Sequence, residues 1–565
     1  MQKNRKRKTS AGVTAILLIA AMLCMSLGAY AEGEAGGGTP PGGGMPGGAD
    51  TMTYDYTGTL EGICSADGTE VTSSAETIAS TQADVNAALA SNGGTLTITK
   101  GTLTKSGDDD NGDNCNFYGI NSIVLSSGDE SLAAIDNSDL SAESSGSNAL
   151  FATDGATIYA YKDTIHTTAD NSRGLDATYG GTVIGTALTI TTEGDHCAAL
   201  ATDRGGGYIS VTDSSLSTKG SGSPLLYSTG DIEVSNLTGT ASGSQIAGME
   251  GLNTILIYDS ELSSSITDAT ASDPVANGII LYQSTSGDAE AKTGDSATFQ
   301  AVNSSLSSSI SSGAMFYVTN TTANILLQNT VLSFDSEAAD LLYIAGNDAN
   351  NWGTAGSNGG TVSLTARQEQ LEGNITVDTI SSLNLYLLEG TTYTGAIRTE
   401  ENANGTSSES GITVNLDADS VWVVTEDTTI ANLNAEAGSK IVDANGDPVS
   451  IVAGGSTVQQ GTGSVTVTVT GSYGTAVTTD AGNELYTDYI DRTAFDERYG
   501  TETAFSAETL AAETDTAADS GSGTESAATE EQGGQSSWVL ILVLVLIAAA
   551  ILVGILVHSR RRKKE

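Results

Sequence analysis

The residues best placed for chemistry sit in two neighbouring turns. Asp170-Asn171-Ser172-Arg173 precedes Leu175, and Asp195-His196-Cys197 precedes Leu200. Counting back from each leucine stacks Asp170 on Asp195 and Asn171 on His196. Asp176, Asp203 and Arg204 follow close by. Carboxylates in a row beside an arginine suit Ca²⁺ and a uronate. Asp176, Asp203 and Arg204 are the residues an acid–base mechanism would use, and Asp170, Arg173, Asp195 and His196 are the matching binding candidates. Turn chemistry is the plainer account, because Asp, Asn and Gly satisfy bent backbone at the corners of a repeating fold.

Two other groups compete. Leu225-Leu226-Tyr227, Ile280-Leu281-Tyr282, Met315-Phe316-Tyr317 and Leu341-Leu342-Tyr343 share one form, and their tyrosines are expected to stack in a column. Exposed beside Trp352, that column would bind sugar rings. Strand alternation instead turns the first and third positions of each triplet inward, which makes the column core. Phe151, Leu226, Leu281, Phe316 and Leu342 then face out and need a cover. The run Asp108-Asp109-Asp110-Asn111-Gly112-Asp113 looks like a calcium loop, with Asp108, Asp110 and Asp113 as candidate ligands. It fails the EF-hand pattern: with Gly112 in the sixth place, Tyr118 falls where a glutamate belongs. His166 and His196 lie in no zinc or nucleophile-elbow context.

A repeat must position these residues. Leu150, Leu175, Leu200 and Leu225 lie 25 residues apart, each opening a block of the form small–Leu–x–x–x–x–Gly. Ile158, Val183, Ile209 and Ile232 follow them, then Ile165, Ile190 and Leu216. Such a period, with short β-type pieces and Gly-rich turns, is the signature of a solenoid with one coil per repeat. The expected fold is all-β, a parallel β-helix. Its leading apolar column runs through Leu89, Val124, Leu150, Leu175, Leu200, Leu225, Ile280, Met315 and Leu341. Loops are expected at Gly107–Asn116, Ile266–Asn277, Ser284–Ala297 and Gly346–Gly360. Asn86 to Gly94 matches the repeat block, so it reads as strand. Ser420-Val421-Trp422-Val423-Val424 reads as a fully buried strand.

The flanks carry other signals. Residues 1–31 read as a secretory signal peptide: five basic residues, an apolar run from Val13 to Leu27, and a small–x–small site at Ala29-Tyr30-Ala31. Residues 32–52 are a Gly/Pro linker. Residues 53–470 hold the β-helix and a C-terminal β cap, and 471–536 a cap and acidic stalk. Trp538 to Val557 carry no charge and are long enough for one transmembrane helix. The basic tail 558–565 then lies in the cytoplasm and the ectodomain outside, at the cell membrane. No Leu-Pro-x-Thr-Gly precedes Trp538, so the helix itself is the expected anchor.

The formal charge is −47, and basic residues concentrate at the two ends of the chain. A surface this acidic repels nucleic-acid phosphate, which excludes that class of partner. It also repels anionic polysaccharide unless a cation such as Ca²⁺ intervenes. The three cysteines beyond the signal, Cys64, Cys115 and Cys197, are no disulfide framework. Free buried thiols are the plainer reading, and a Cys115–Cys197 pair stays open.

At Asp170-Asn171-Ser172-Arg173-Gly174-Leu175-Asp176-Ala177-Thr178-Tyr179-Gly180-Gly181, and again at Ala198 to Gly207, the chain resembles uncharacterised adhesin-like surface proteins of Gram-positive bacteria. The likeness covers roughly residues 53–450. It implies a pectin-lyase-like, right-handed parallel β-helix and carries no catalytic motif. Fold analogy gives no function. The expectation is a membrane-anchored cell-surface protein, adhesin-like or glycan-binding, with no cofactor. A polysaccharide lyase or hydrolase and a passive surface-layer component are the alternatives. An enzyme requires Asp176, Asp203 and Arg204 to converge in a groove.

Overall fold

Each repeat folds as one coil of three short strands, and the coils stack. In one coil the strands are Leu150–Thr153, Thr157–Tyr161 and Thr164–Thr167. In the next they are Leu175–Ala177, Gly181–Thr186 and Thr189–Thr192. Every strand pairs in parallel with its counterpart one coil away. Among the described residues this builds three long sheets of 13, 15 and 10 strands, here called first, second and third in the order the chain visits them. The protein is a parallel β-helix. The structure, a computed structural model, describes residues 53–109, 113–284, 289, 296–349, 352–407 and 411–505. The expected signal peptide, linker, transmembrane helix and tail, and Asp110, lie outside them. Among the described residues no helix is long and apolar enough to cross a membrane.

Period-two alternation explains the core. Leu150, Ile158 and Ile165 point inward from the three strands of one coil, and all are fully buried. Each such side chain contributes about 1.5–3 kcal/mol of burial. The corners have their own chemistry. Between second and third strands the chain turns on a single left-handed residue, such as Lys162, Ala187, Asp213, Asn236 or Asn303, with φ between 50° and 60°. At the third corner the left-handed place passes from Gly146 to Asn171, His196 and Gly222. A side-chain ladder runs beside it: Ser147 N–H donates to Ser172 Oγ at 2.9 Å, Ser172 N–H to Cys197 Sγ at 3.0 Å, and Cys197 N–H to Ser223 Oγ at 2.9 Å. Cys197 thus fills a serine's place. Cys64, Cys115 and Cys197 are all free thiols.

The leading column differs from the expected one by single residues. Leu150, Leu175 and Leu200 are in register, but the next partner is Leu226, not Leu225. The coil from Leu200 to Leu226 is one residue longer than the coil before it. Further along, the column runs through Ala247, Ile279, Phe316 and Leu342, and before Val124 it holds Ala88 in place of Leu89. The tyrosines therefore face outward, correcting the inward expectation. Leu226, Leu281, Phe316 and Leu342 are core. Tyr227, Tyr317 and Tyr343 occupy one outer column, while Tyr282 lies two positions along, opposite Glu250 and Thr319. Phe151 does face out, in a cluster with Leu89, Leu125 and Leu60. A one-residue slip exchanges faces.

Two outer faces are covered. On the first sheet lies α1 (Asn114–Tyr118), held by Asn148 Nδ2 donating to the Cys115 carbonyl at 2.9 Å and Thr178 Oγ1 to the Phe117 carbonyl at 2.9 Å. Beyond Ile279 the same sheet is covered from the 266–277 and 346–360 loops, where Val275, Ala349 and Trp352 pack on Ile280 and Tyr317. Among the described residues the third sheet stays bare and presents hydroxyls, such as Thr189, Ser215 and Thr238, to solvent. At the C-terminal end the strands Thr428–Ile430, Ser450–Ala453, Ser456–Gln459 and Thr466–Val469 form a small mixed sheet that caps the stack. Its neighbour Val421–Val424 buries Trp422 and Val424 but leaves Val421 and Val423 half-exposed, so that strand is one-sided.

The second sheet is covered by a segment expected to be cap and stalk. After Tyr473–Gly474 pairs with Leu433 and Asn434, the chain turns back along the stack. Asn483 Nδ2 donates to Thr365 Oγ1, Tyr486 N–H to Gln300 Oε1 and Ile490 N–H to Glu233 Oε2. Arg492 reaches Ser210 and Gly185, and α2 (Thr493–Tyr499) packs Phe495 on Tyr159 and Tyr161. This strap, residues 471–505, thus passes the coils in reverse order as far as α2, and Phe505 then returns to Tyr258.

Candidate functional site

The charged turns come first. Asp170 and Asp195 stack, and each carboxylate accepts a backbone N–H from the next coil: Asp195 at 2.9 Å and Ser221 at 2.8 Å. Asn171 and His196 occupy equivalent left-handed positions. That is turn chemistry, with both aspartates at the surface.

Arg173 has a different role. Its guanidinium donates to Asp176 Oδ2 at 3.2 Å, to Asp203 Oδ2 at 2.9 Å and to Asn116 Oδ1 of α1 at 2.8 Å. Asp176 is 0%, Asp203 5% and Arg173 8% exposed, so this is a closed cluster under α1. Burial pushes the Asp176 carboxyl well above its ordinary range, against the pull of Arg173. Burial alone would lower the Arg173 guanidinium, but Asp176 and Asp203 hold it above its ordinary value. An arginine between two carboxyls is neutral overall when one carboxyl keeps its proton.

Arg204 is next in the chain, and its backbone N–H donates to Asp203 Oδ1 at 2.9 Å. Its guanidinium lies 3.7 Å from the centre of the Phe117 ring. Asp176 and Asp203 converge, but on Arg173, and in a sealed space. Burial under α1 leaves these two carboxyls out of any open groove.

The remaining candidates are structural. Asp108 accepts the Ser145 N–H at 3.0 Å, and Asp113 precedes α1 without capping it through its side chain. Among the described residues no group of His, Cys, Asp and Glu is placed to hold a metal. Trp352 is 6% exposed and stacks on Tyr282 at 4.2 Å, so its face is taken. His166 is exposed and meets Glu193 at 3.1 Å.

An open site lies elsewhere. Outward positions of the second sheet form three columns, and the strap covers the two nearer the third sheet. Between the strap and the uncovered column runs a cleft of about 400 Å³. Thr157, Tyr159, Thr182, Ile184, Tyr208, Asp231, Glu233, Thr254 and Leu256 make its floor, and residues 486 and 488–491 its wall. Tyr208 is 41% exposed. Glu233 lies at the base, its Oε1 accepting from Ser210 Oγ at 2.6 Å and its Oε2 from Ile490 N–H at 3.1 Å. Burial pushes its carboxyl up to about 7. The Thr493 hydroxyl and N–H hold Asp491 below the ordinary carboxylate range.

Sequence reasoning missed this cleft because its wall and floor are some 250 residues apart in the chain. One signal was present. Thr254-Ile255-Leu256-Ile257-Tyr258 is apolar on both faces, and Leu256 and Tyr258 pack under Leu485, Tyr486 and Tyr489. A strand apolar on both faces needs an outer cover.

No protein family, no curated protein and no solved structure matches the chain.

Proposed function

We propose that the protein is a membrane-anchored, cell-surface β-helix of right-handed coil that binds a glycan along its second sheet. The observation that carries this is the cleft: tyrosine rings beside hydroxyls and carboxylates, in a groove parallel to the stack. Aromatic faces take the apolar face of a pyranose, and carboxylates accept its hydroxyls. The signal-like N-terminus and the uncharged run 538–557 support an extracellular rod with a C-terminal anchor. The adhesin-like reading rests on that placement. A glycan array probed with the full chain tests it. Binding that falls with Tyr208→Ala supports the reading; an array with no signal above background refutes it.

A hydrolase at the same cleft is the second reading. Glu233 and Asp491 line one groove, and their surroundings push their carboxyls in opposite directions, as an acid and its partner require. Both Glu233 oxygens are already engaged by Ser210 and Ile490, which favours binding over cleavage. Release of reducing ends from a bound glycan, abolished by Glu233→Gln, would reverse that preference. The lyase reading has no such support, since Arg173 neutralises its carboxylates.

A further inference from the structure

The cleft has a length and a charge, and both constrain its ligand. Its floor draws on five successive strands of the second sheet: Thr157–Tyr161, Gly181–Thr186, Gly207–Thr212, Asp231–Ser235 and Thr254–Tyr258. At about 4.8 Å per strand that is a run of roughly 20 Å. It suits an extended chain, not a single sugar.

Charge comes next. Asp231, Asp488 and Asp491 line the cleft above buried Glu233, and no Lys or Arg is among the lining residues. A neutral glycan would satisfy some of these carboxylates and desolvate all of them, at a cost. A uronate would add like charge. A chain bearing ammonium groups answers both objections. The tyrosines select the scaffold of that chain: Tyr159, Tyr208, Tyr486 and Tyr489 line the groove, and exposed Tyr208 sits directly beside Asp231 in the next strand. Ring and carboxylate side by side match a sugar face and its amine.

Resting on the glycan-binding reading above, we infer that the cleft binds an oligosaccharide of amino sugars with free amines. Asp231 and its neighbours take the ammonium groups, and Tyr208 takes a sugar face.

The test is calorimetric titration of the full chain, in detergent at pH 6, with four oligomers of equal length. These are β-1,4-glucosamine, its N-acetylated form, β-1,4-glucose and lysine. A chain this acidic attracts any polycation, so variants decide. The glucosamine oligomer is expected to bind at least tenfold more tightly than its acetylated form. Tyr208→Ala and Asp231→Asn are each expected to weaken it at least fivefold, and Glu261→Gln on the bare third sheet to change nothing. Equal or tighter binding of the acetylated or glucose oligomer overturns the charge inference and leaves the glycan reading standing. No binding of any sugar removes both. Oligolysine binding as tightly as glucosamine, with the same loss in the two variants, makes the cleft a cationic-peptide groove. Glucosamine binding that Glu261→Gln weakens as much as Asp231→Asn reduces the effect to general surface charge. Either outcome overturns the proposal.

Discussion

The Arg492 guanidinium donates to Ser210 Oγ at 2.9 Å, across 282 residues of chain. It also donates to the Ser210 carbonyl at 2.8 Å, the Gly185 carbonyl at 3.1 Å and Thr186 Oγ1 at 2.6 Å. Burial lowers this arginine to about 10, so it stays charged at neutral pH. It is 1% exposed and is the strap's main polar anchor on the second sheet.

Replacing it should peel the strap. Arg492→Met keeps much of the volume but strands several buried acceptors, at a cost of about 3 kcal/mol. Limited proteolysis should then cut within 471–505 while the coils stay resistant. Unchanged cleavage would show that Phe495 and Tyr486 suffice.

The cluster beneath α1 should behave as a unit. Arg173→Met leaves two carboxyls buried without their cation and should cost about 3–5 kcal/mol in chemical denaturation. Asp176→Asn should cost much less, because burial already favours the uncharged form there. Equal losses would mean that Asp176 is fully ionised in the fold.

Stability should rise on acidification from pH 8 to pH 5. Burial pushes Asp163 and Glu369 up to about 8, and Asp273 and Glu233 up to about 7. Unfolded carboxyls titrate near 4. Between those values the folded chain holds protons that the unfolded chain has released, so stability falls as pH rises through this window. Thermal melting at the two pH values checks the sign. Glu233→Gln should flatten the slope, since its amide oxygen can accept from Ile490 and its NH₂ can donate to Ser210.

Trp352 should matter for stability and not for ligand. Trp352→Ala removes the ring stacked on Tyr282 and should cost about 3 kcal/mol. Glycan affinity should stay unchanged, because Trp352 does not line the cleft. A loss of affinity with no loss of stability would move the site to the first sheet.

The coil was legible because 25-residue spacing and alternation agree from Leu150 to Leu200. Phase slips before Leu225: one extra residue enters the corner between Thr202 and Gly207, and the strand at Leu225 is apolar at successive positions. Alternation cannot choose a face when both faces are covered. The covers themselves, α1 over Asp176 and the strap over Tyr258, come from distant segments, and periodicity within a strand does not name its partner. Asp176 and Asp203 read as a pair; that Arg173 bridges them with Asn116 as its third partner comes from a segment 57 residues away, which periodicity does not name.

The strap decides where a pull on Phe505 would enter the coils. Phe505, the last described residue, rests on Tyr258 and Tyr489, with ring centres 5.8 and 5.7 Å away. Force applied at Phe505 would therefore reach the coils along the flank, through Arg492 and Phe495, and bypass Trp422 at the capped end. A tug would strip the strap first and leave the coils wound, making this segment the mechanical fuse of the rod.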